Sequence, residues 1–349
     1  MNDKQLLLLT KHIINPHRHL DSEEKILVNS CPQEIIKYIV LNQISTSFSH
    51  ILSCSKCQRG LSKNFIINLG IAHGNNCLSR ERIEEFSRTL AKDICQNIKM
   101  VVLKKNILWR KYSTDTLFRV SLDLDLLVKK EDLNFIENYF LNKGFKVKYN
   151  SPGREREFIR KDGCIVDIHL NIVKSTFGKI SPFPKEIVEQ ISRELYETSK
   201  RNRNGYYYPL PEYNLLNLLL HFILHNRSRG LRHLYDFDQI LSNKRIKWSN
   251  FLILLQRFHI VNYFHYIFKM SNKVYGTKIE RPIRSSLSQR LAELLNNKFD
   301  IGQGFDLKEW RNAKKAEKRN FYLIWLLWEK NIIAKAIYLI SSDKLNYCG

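Results

Sequence analysis

The chain has 349 residues, of which 44% are hydrophobic, and it contains only 13 glycines and 8 prolines. This length allows two or more domains with a large core, and the composition excludes a collagen-like, low-complexity or largely disordered protein. Lysine and arginine outnumber aspartate and glutamate by 57 to 34, which gives a net charge of +23. That excess favours a polyanionic partner such as RNA or an anionic membrane surface. The alternative is a basic surface without a specific ligand.

The cysteines and the apolar segments bear on the compartment. The seven cysteines are an odd number, and residues 1–10 lack a cleavage pattern, so we expect free thiols and a cytoplasmic location. Cys54 and Cys57 form a lone C-x-x-C motif with His50 nearby. Three ligands do not close a zinc site, so a metal there is the less favoured interpretation. No run of about eighteen apolar residues occurs, so no transmembrane segment is expected.

The first predicted region, residues 1–98, is mostly helical. Apolar residues at helical spacing predict one helix over Glu34–Ile44. A second helix is predicted to begin with Ser79 as its N-cap and to continue to about Asn97.

The second predicted region, residues 99–182, is a small α/β core. Its predicted elements are, in order, a strand over Met100–Leu103, a helix through Trp109, a strand over Phe118–Val128, a helix over Lys130–Asn142 that ends at Gly144, a strand over Phe145–Tyr149, and a hairpin that runs through Leu170.

The third predicted region, residues 183–349, is helical again. Leu215–Leu224 is almost wholly apolar and predicts a buried helix. Further helices are predicted over Ser249–Tyr266, Ser285–Asn297 and Trp310–Ile340. The fold class is therefore α+β, with a small mixed sheet flanked by N-terminal and C-terminal helical regions.

Two neighbouring carboxylates are the most informative feature of the predicted core. In the segment Arg119–Val128, the polar residues Ser121, Asp123 and Asp125 alternate with leucines, so on a strand they share one face. Carboxylates in that arrangement repel each other unless they are solvated or share a cation. A pair of Mg²⁺ ions would satisfy them, because Mg²⁺ takes one or two carboxylates together with substrate phosphates. The alternative is a solvated strand edge.

A third carboxylate fits the same interpretation. Asp162-Gly163 between two β-prone runs predicts a tight hairpin. On its second strand Asp167 and His169 share a face, so Asp167 would join the pair if the two strands lie side by side. Asp123 and Asp125 would then bridge two metal ions, and Asp167 would hold the ion that activates a nucleophile. His169 would orient Asp167 or reach the substrate, or it is a packed strand residue.

Four segments resemble a known family. Val101–Lys105, Arg119–Val128, Gly144-Phe145 and Val166–His169 are similar to the uncharacterised nucleotidyltransferase family of the DNA polymerase β-like superfamily. The resemblance runs from about residue 77 to 171 and continues more weakly over Leu218–Leu241. It implies a mixed sheet, two divalent metal ions, and transfer of a nucleoside monophosphate from a nucleoside triphosphate (NTP).

One position departs from the superfamily pattern and bears on the phosphate pocket. The superfamily usually has a Gly-Ser or a Lys-Gly pair where this chain has Lys104-Lys105. Lys104, Arg119 and Ser121 are the expected contacts of the triphosphate, since lysine acts as a point charge and arginine as a fork.

The helical region carries a second group of candidate residues. His221 and His225 are four residues apart on one helix, and Asp236 follows on the next. The spacing suits zinc, but the adjacent glutamate of metalloproteases is missing, so a role in the acceptor pocket is favoured. We therefore expect a Mg²⁺-dependent nucleotidyltransferase whose acceptor is a hydroxyl on a small molecule, protein or peptide. The alternatives are an RNA end such as that of tRNA, or an inactive, basic nucleic-acid-binding protein on the same core.

Overall fold

In the computed structural model, the described residues are 8, 19–41, 45–103, 123–151, 155–172, 185–224, 231–241 and 246–275. Within them the chain forms a seven-stranded mixed sheet with helices on both faces. The predicted α+β class is therefore confirmed. None of the helices in these residues is long and apolar enough to cross a membrane.

The helices of the described residues are α1 (Ser22–Ser30), α2 (Pro32–Leu41), α3 (Ser49–Ser53), α4 (Ser55–Gln58), α5 (Lys63–Asp93), α6 (Leu133–Asn142), α7 (Lys185–Thr198), α8 (Pro211–Leu224), α9 (Leu231–Leu241), α10 (Trp248–Arg257) and α11 (Val261–Tyr275), with 3₁₀ turns at Ser45–Phe48 and Lys130–Asp132. The strands are β1 (Val101–Leu103), β2 (Leu124–Leu127), β3 (Phe145–Ser151), β4 (Glu155–Arg160), β5 (Ile165–His169), β6 (Lys200–Arg201) and β7 (Tyr207–Tyr208).

The strand order places the two polar strands next to each other. The sheet runs β3-β4-β5-β2-β1-β7-β6, with β2 and β5 parallel and β4 and β5 antiparallel. The hairpin predicted around Asp162-Gly163 is the β4–β5 turn, where Gly163 has φ +87° and donates its N–H to the Arg160 carbonyl at 2.9 Å. A positive φ favours glycine, which explains why the turn falls at this residue.

The two faces of the sheet bury different parts of the chain. Leu124 and Leu126 of β2 pack into a core shared with α5 and α6. Leu127 points the other way and joins a larger core with α7 to α11. Asp125 has the same parity as Leu127, so it lies on the face that meets the C-terminal helices.

The N-terminal helices differ from the prediction in one respect. α5 is a single 31-residue helix that begins at its N-cap Ser62, whose side chain accepts from the Phe65 N–H. The prediction of Ser79 as an N-cap is wrong, because Ser79 Oγ donates to the Asn75 carbonyl inside the helix at 2.9 Å. Hydroxyl groups in helix interiors form this backward bond when no break in the backbone frees them to cap.

Among the C-terminal helices, one predicted helix is confirmed and another is divided into two. α8 contains the predicted buried helix over Leu215–Leu224. The segment predicted as Ser249–Tyr266 is split into α10 and α11 by His259, which has φ 55°. A left-handed residue ends an α-helix, and histidine gives no strong sequence signal for one. The helices predicted beyond residue 275, the one through Trp109, and the start of the strand predicted from Phe118 lie outside the described residues.

Candidate active site

A row of acidic residues crosses three adjacent strands. Asp125 on β2 is in register with Asp167 on β5, and Asp167 is in register with Glu157 on β4. Neighbouring strands are about 4.8 Å apart, and in-register side chains project from the same face. The three carboxylates, called here the acidic row, therefore lie side by side.

His169 joins this row through a hydrogen bond. It lies two residues after Asp167 on β5, and its Nε2 is 2.9 Å from Asp125 Oδ1. Both side chains are almost fully buried, at 6% and 5% exposed. One ligand atom from each of Asp125, Asp167 and His169 lies within 4.8 Å of the other two. We call these three residues the carboxylate–imidazole cluster.

The burial of Asp125 indicates what the cluster requires. A carboxylate with so little exposure is costly unless hydrogen bonds or opposite charge compensate it. His169 supplies a hydrogen bond, and Asp167 adds a second negative charge within reach. A divalent cation would compensate both carboxylates at once, and two carboxylates match the oxygen ligands of Mg²⁺.

Lys148 is a cation that borders the acidic row. Its Nζ on β3 lies 2.5 Å from Glu157 Oε1. The pKa of Lys148 is raised above its usual value by this hydrogen bond first, and also by the charges of Glu157, Asp167 and Asp123. Lys148 therefore stays protonated and offsets part of the repulsion in the row.

Asp123 lies in the same electrostatic neighbourhood but not in the cluster. It occupies a bend immediately before β2, and its charge acts on Lys148 together with that of Asp167. Within the described residues, the convergent ligand atoms at this site come from Asp125, Asp167 and His169. The predicted sharing of two metal ions by Asp123 and Asp125 stays a prediction.

The other predicted site residues are placed as follows. His221 on α8 and Asp236 on α9 are buried, on neighbouring helices of the C-terminal core. Neither belongs to a convergent group of metal-ligating atoms in the part of the chain that the structure describes. Lys104, Arg119, Ser121 and His225 lie outside the described residues.

Glu157 and Lys148 were not identified from the sequence. The signal for Glu157 is the hairpin register, because counting outward from the Asp162-Gly163 turn pairs it with Asp167. Lys148 required knowledge of the β3–β4 pairing, whose register shifts between Val147 and Tyr149. A shift of this kind is not readable from residue alternation.

Comparisons with known proteins identify the family of the chain. Neither the comparison with curated proteins nor that with solved structures gives a match. A family model described as "uncharacterised nucleotidyltransferase" matches residues 32–276, which is well over half of the chain. The matched segment includes all seven strands of the sheet and the carboxylate–imidazole cluster. The chain therefore belongs to this family of nucleotidyltransferases.

Proposed function

We propose that the chain transfers a nucleoside monophosphate from an NTP to a hydroxyl acceptor with release of pyrophosphate, using divalent metal held by Asp125 and Asp167 with Asp123 as a further ligand. The observation that carries the proposal is the in-register pairing of Asp125 with Asp167 on adjacent strands. Two carboxylates fixed side by side are suited to metal-assisted displacement at phosphorus. Membership of the nucleotidyltransferase family supports this reading of the pair.

The donor set fits Mg²⁺ when His169 is treated as a positioning residue. Mg²⁺ prefers oxygen ligands, whereas imidazole suits softer ions. The 2.9 Å contact of His169 Nε2 with Asp125 Oδ1 engages the imidazole with the carboxylate. His169 then fixes the orientation of Asp125, as partners outside the first ligand sphere do in metal sites. Bound metal would polarise the transferring phosphate and lower the pKa of the attacking hydroxyl.

The two aspartates have different roles in the proposal because their exposure differs. Asp125 is buried and bonded to His169, so it serves as a fixed ligand. Asp167 is only half-buried, so its carboxylate can also face the acceptor. We assign Asp167 to the hydroxyl that attacks, either as a ligand at that side or as the group that accepts its proton.

Lys148 is proposed to serve the triphosphate. Its side chain is 51% exposed and paired with Glu157 at the edge of the acidic row. An arriving triphosphate offers more negative charge than Glu157 does, so the ammonium can move to it as a point charge. Lys104, Arg119 and Ser121 remain the other proposed triphosphate contacts.

The acceptor is proposed to bind where the sheet meets the C-terminal helices. Asp125 shares its sheet face with Leu127, which packs into the core formed by α7 to α11. Sites for small substrates favour such junctions. His221 and Asp236 are proposed to shape the acceptor pocket from α8 and α9.

An RNA end is the second candidate acceptor, and a basic cleft favours it. A cleft of about 890 Å³ between α5 and the β6–β7 hairpin is lined by Arg88, Lys92, Arg201 and Arg203, with Glu84 as its acidic member. Such a cleft, in a chain of net charge +23, suits the phosphate backbone of a nucleic acid. RNA binding through this cleft would weaken steeply with salt, whereas a small-molecule acceptor would show little salt dependence.

The test is a transfer assay with each NTP carrying label in its α-phosphate. The full chain is incubated with Mg²⁺ and either total RNA, an RNA-free extract of small molecules and proteins, or buffer. We expect label in one acceptor fraction with the wild type and with Asp162→Asn, and none with Asp167→Asn. Asp162 is a matched control because it is a carboxylate of the same hairpin that bonds Arg160 and the Cys164 N–H. Equal transfer by Asp167→Asn and the wild type would refute the proposed site.

A further inference from the structure

The N-terminal helices have a small core of their own. Its buried members are Leu8, Leu20, Val28, Ile35, Ile39, Phe48, Ile51, Cys57, Phe65 and Leu69. Two of its helices, α3 and α4, have only five and four residues. Helices of that length are not stable without tertiary support, so an additional link that holds α3 and α4 in place would stabilise this region.

Four residues with metal-ligating side chains converge beside these short helices. His50 lies on α3, Cys54 between α3 and α4, and Cys57 on α4, while His19 comes from the segment before α1. One ligand atom from each of the four lies within 4.8 Å of all the others. His19 Nδ1 is 2.8 Å from Cys57 Sγ, and the His19 and His50 ring centroids are 5.3 Å apart.

This arrangement matches the requirements of zinc. Tetrahedral zinc with sulfur at about 2.3 Å and nitrogen at about 2.0–2.1 Å places its ligand atoms roughly 3.3–3.8 Å from one another. The observed limit of 4.8 Å is close enough for small side-chain rotations to close the site. Two imidazoles and two thiolates are an established donor set for structural zinc, and both Cys54 and Cys57 are free thiols.

The local backbone explains how three of the ligands are presented. His50 and Cys54 are separated by about one helical turn, and Cys54 occupies the N-cap of α4 with an extended backbone (φ −112°, ψ 110°). Cys57 then follows with C-x-x-C spacing, which is common in zinc sites. The sequence interpretation of this motif stopped at three ligands. The fourth, His19, is distant in sequence and becomes a neighbour only through the fold.

We propose that His19, His50, Cys54 and Cys57 bind one zinc ion that ties the segment before α1 to α3 and α4. Four protein ligands leave no open coordination position, so the site is structural and does not take part in the transfer reaction. The family match begins at residue 32, so His19 lies before the matched segment. The proposal is independent of the carboxylate–imidazole cluster and of the function assigned to it.

The wild-type chain supplies the first test. The tag-free full chain is purified under reducing conditions without chelator, and its metal content is measured by mass spectrometry. We expect one zinc per chain, with an X-ray absorption edge fitted by two sulfurs at about 2.3 Å and two nitrogens at about 2.0–2.1 Å. Alkylation should spare Cys54 and Cys57 until a chelator is added, and it should reach Cys31 equally in both conditions.

Variants supply the second test and a matched control. His19→Ala and Cys57→Ser should each lose the zinc, whereas Cys31→Ser should keep it. Cys31 borders the same core but bonds the Leu27 carbonyl instead of the cluster. A zinc-free wild type after exposure to Zn²⁺, a Cys54–Cys57 disulfide in the reduced preparation, or a zinc ion without sulfur ligands would each overturn the proposal. These outcomes do not involve nucleotide transfer, so they leave the proposed function untouched.

Discussion

Replacing Asp167 with asparagine should stabilise the metal-free protein while it abolishes transfer. Asparagine keeps the shape of the side chain and removes its charge. The ligand atoms of Asp125 and Asp167 lie within 4.8 Å of each other. At an effective dielectric constant of about 20, two unit charges at that distance repel by about 3.5 kcal/mol. Lys148 and His169 offset part of this repulsion, so we expect the free energy of unfolding to rise by roughly 1–2 kcal/mol.

Metal should reverse the order of stability. A ligand at about a hundred times its dissociation constant adds about 2.7 kcal/mol to the free energy of unfolding of a protein that binds it only in the folded state. The wild type should gain this increment with Mg²⁺, and Asp167→Asn should gain little because it lacks one charged ligand. The variant is therefore more stable in EDTA, and the wild type is more stable in saturating Mg²⁺.

The assay is urea denaturation followed by circular dichroism, in EDTA and in Mg²⁺. Asp162→Asn is the control, because its loss of the Arg160 contact should change stability equally in both conditions. A variant that is less stable than the wild type in EDTA and responds equally to Mg²⁺ would show that Asp125 and Asp167 do not share a cation.

The remaining predictions concern neighbouring residues. His169→Ala should weaken metal binding 10- to 100-fold in a calorimetric titration, because partners that orient a metal ligand have effects of that order. His169→Gln should recover part of the loss. Unchanged metal affinity in both variants would show that His169 does not position Asp125. Lys148→Met should raise the KM for NTP in steady-state kinetics, because it removes a charge proposed to contact the triphosphate. An unaltered KM would show that Lys148 pairs only with Glu157 and does not bind the triphosphate. Gly163→Ala should lower the free energy of unfolding by about 1–2 kcal/mol because Gly163 has φ +87°. Gly74→Ala, in the interior of α5 with open space around it, should raise it by up to about 1 kcal/mol; shifts of equal sign in the two glycine variants would contradict this reasoning.

Local patterns were sufficient to predict the centre of the fold. The Asp162-Gly163 turn fixed a hairpin, and alternation along β5 placed Asp167 and His169 on one face. Whether β5 lies beside the strand that carries Asp125 was left open by the sequence, and the in-register pairing of Asp125 with Asp167 shows that it does. These features depend on turn chemistry and on the two-residue period of a strand, and both can be recognised from a few consecutive residues.

Features that depend on long-range packing were missed. The bond between His169 and Asp125 joins residues 44 positions apart, and the approach of His19 to Cys57 spans 38 positions. Neither has a local signature, since a histidine before a helix or on a strand is usually a packing residue. The prediction of Ser79 as an N-cap failed for a related reason. Serine occurs both at helix N-caps and inside helices, and only the continuation of α5 upstream of Ser79 shows that this serine is internal.

Metal binding by the purified chain is the most direct measure of whether Asp125 and Asp167 hold a cation, because it requires no knowledge of the acceptor. Mn²⁺ can replace Mg²⁺ and is counted by electron paramagnetic resonance, with the full chain titrated in the presence of a non-hydrolysable NTP analogue. We predict that the wild type and Asp162→Asn bind Mn²⁺ in competition with Mg²⁺, and that Asp125→Asn and Asp167→Asn lose this binding while they remain folded. Undiminished Mn²⁺ binding by both folded variants would contradict the assignment of these two carboxylates as the metal site.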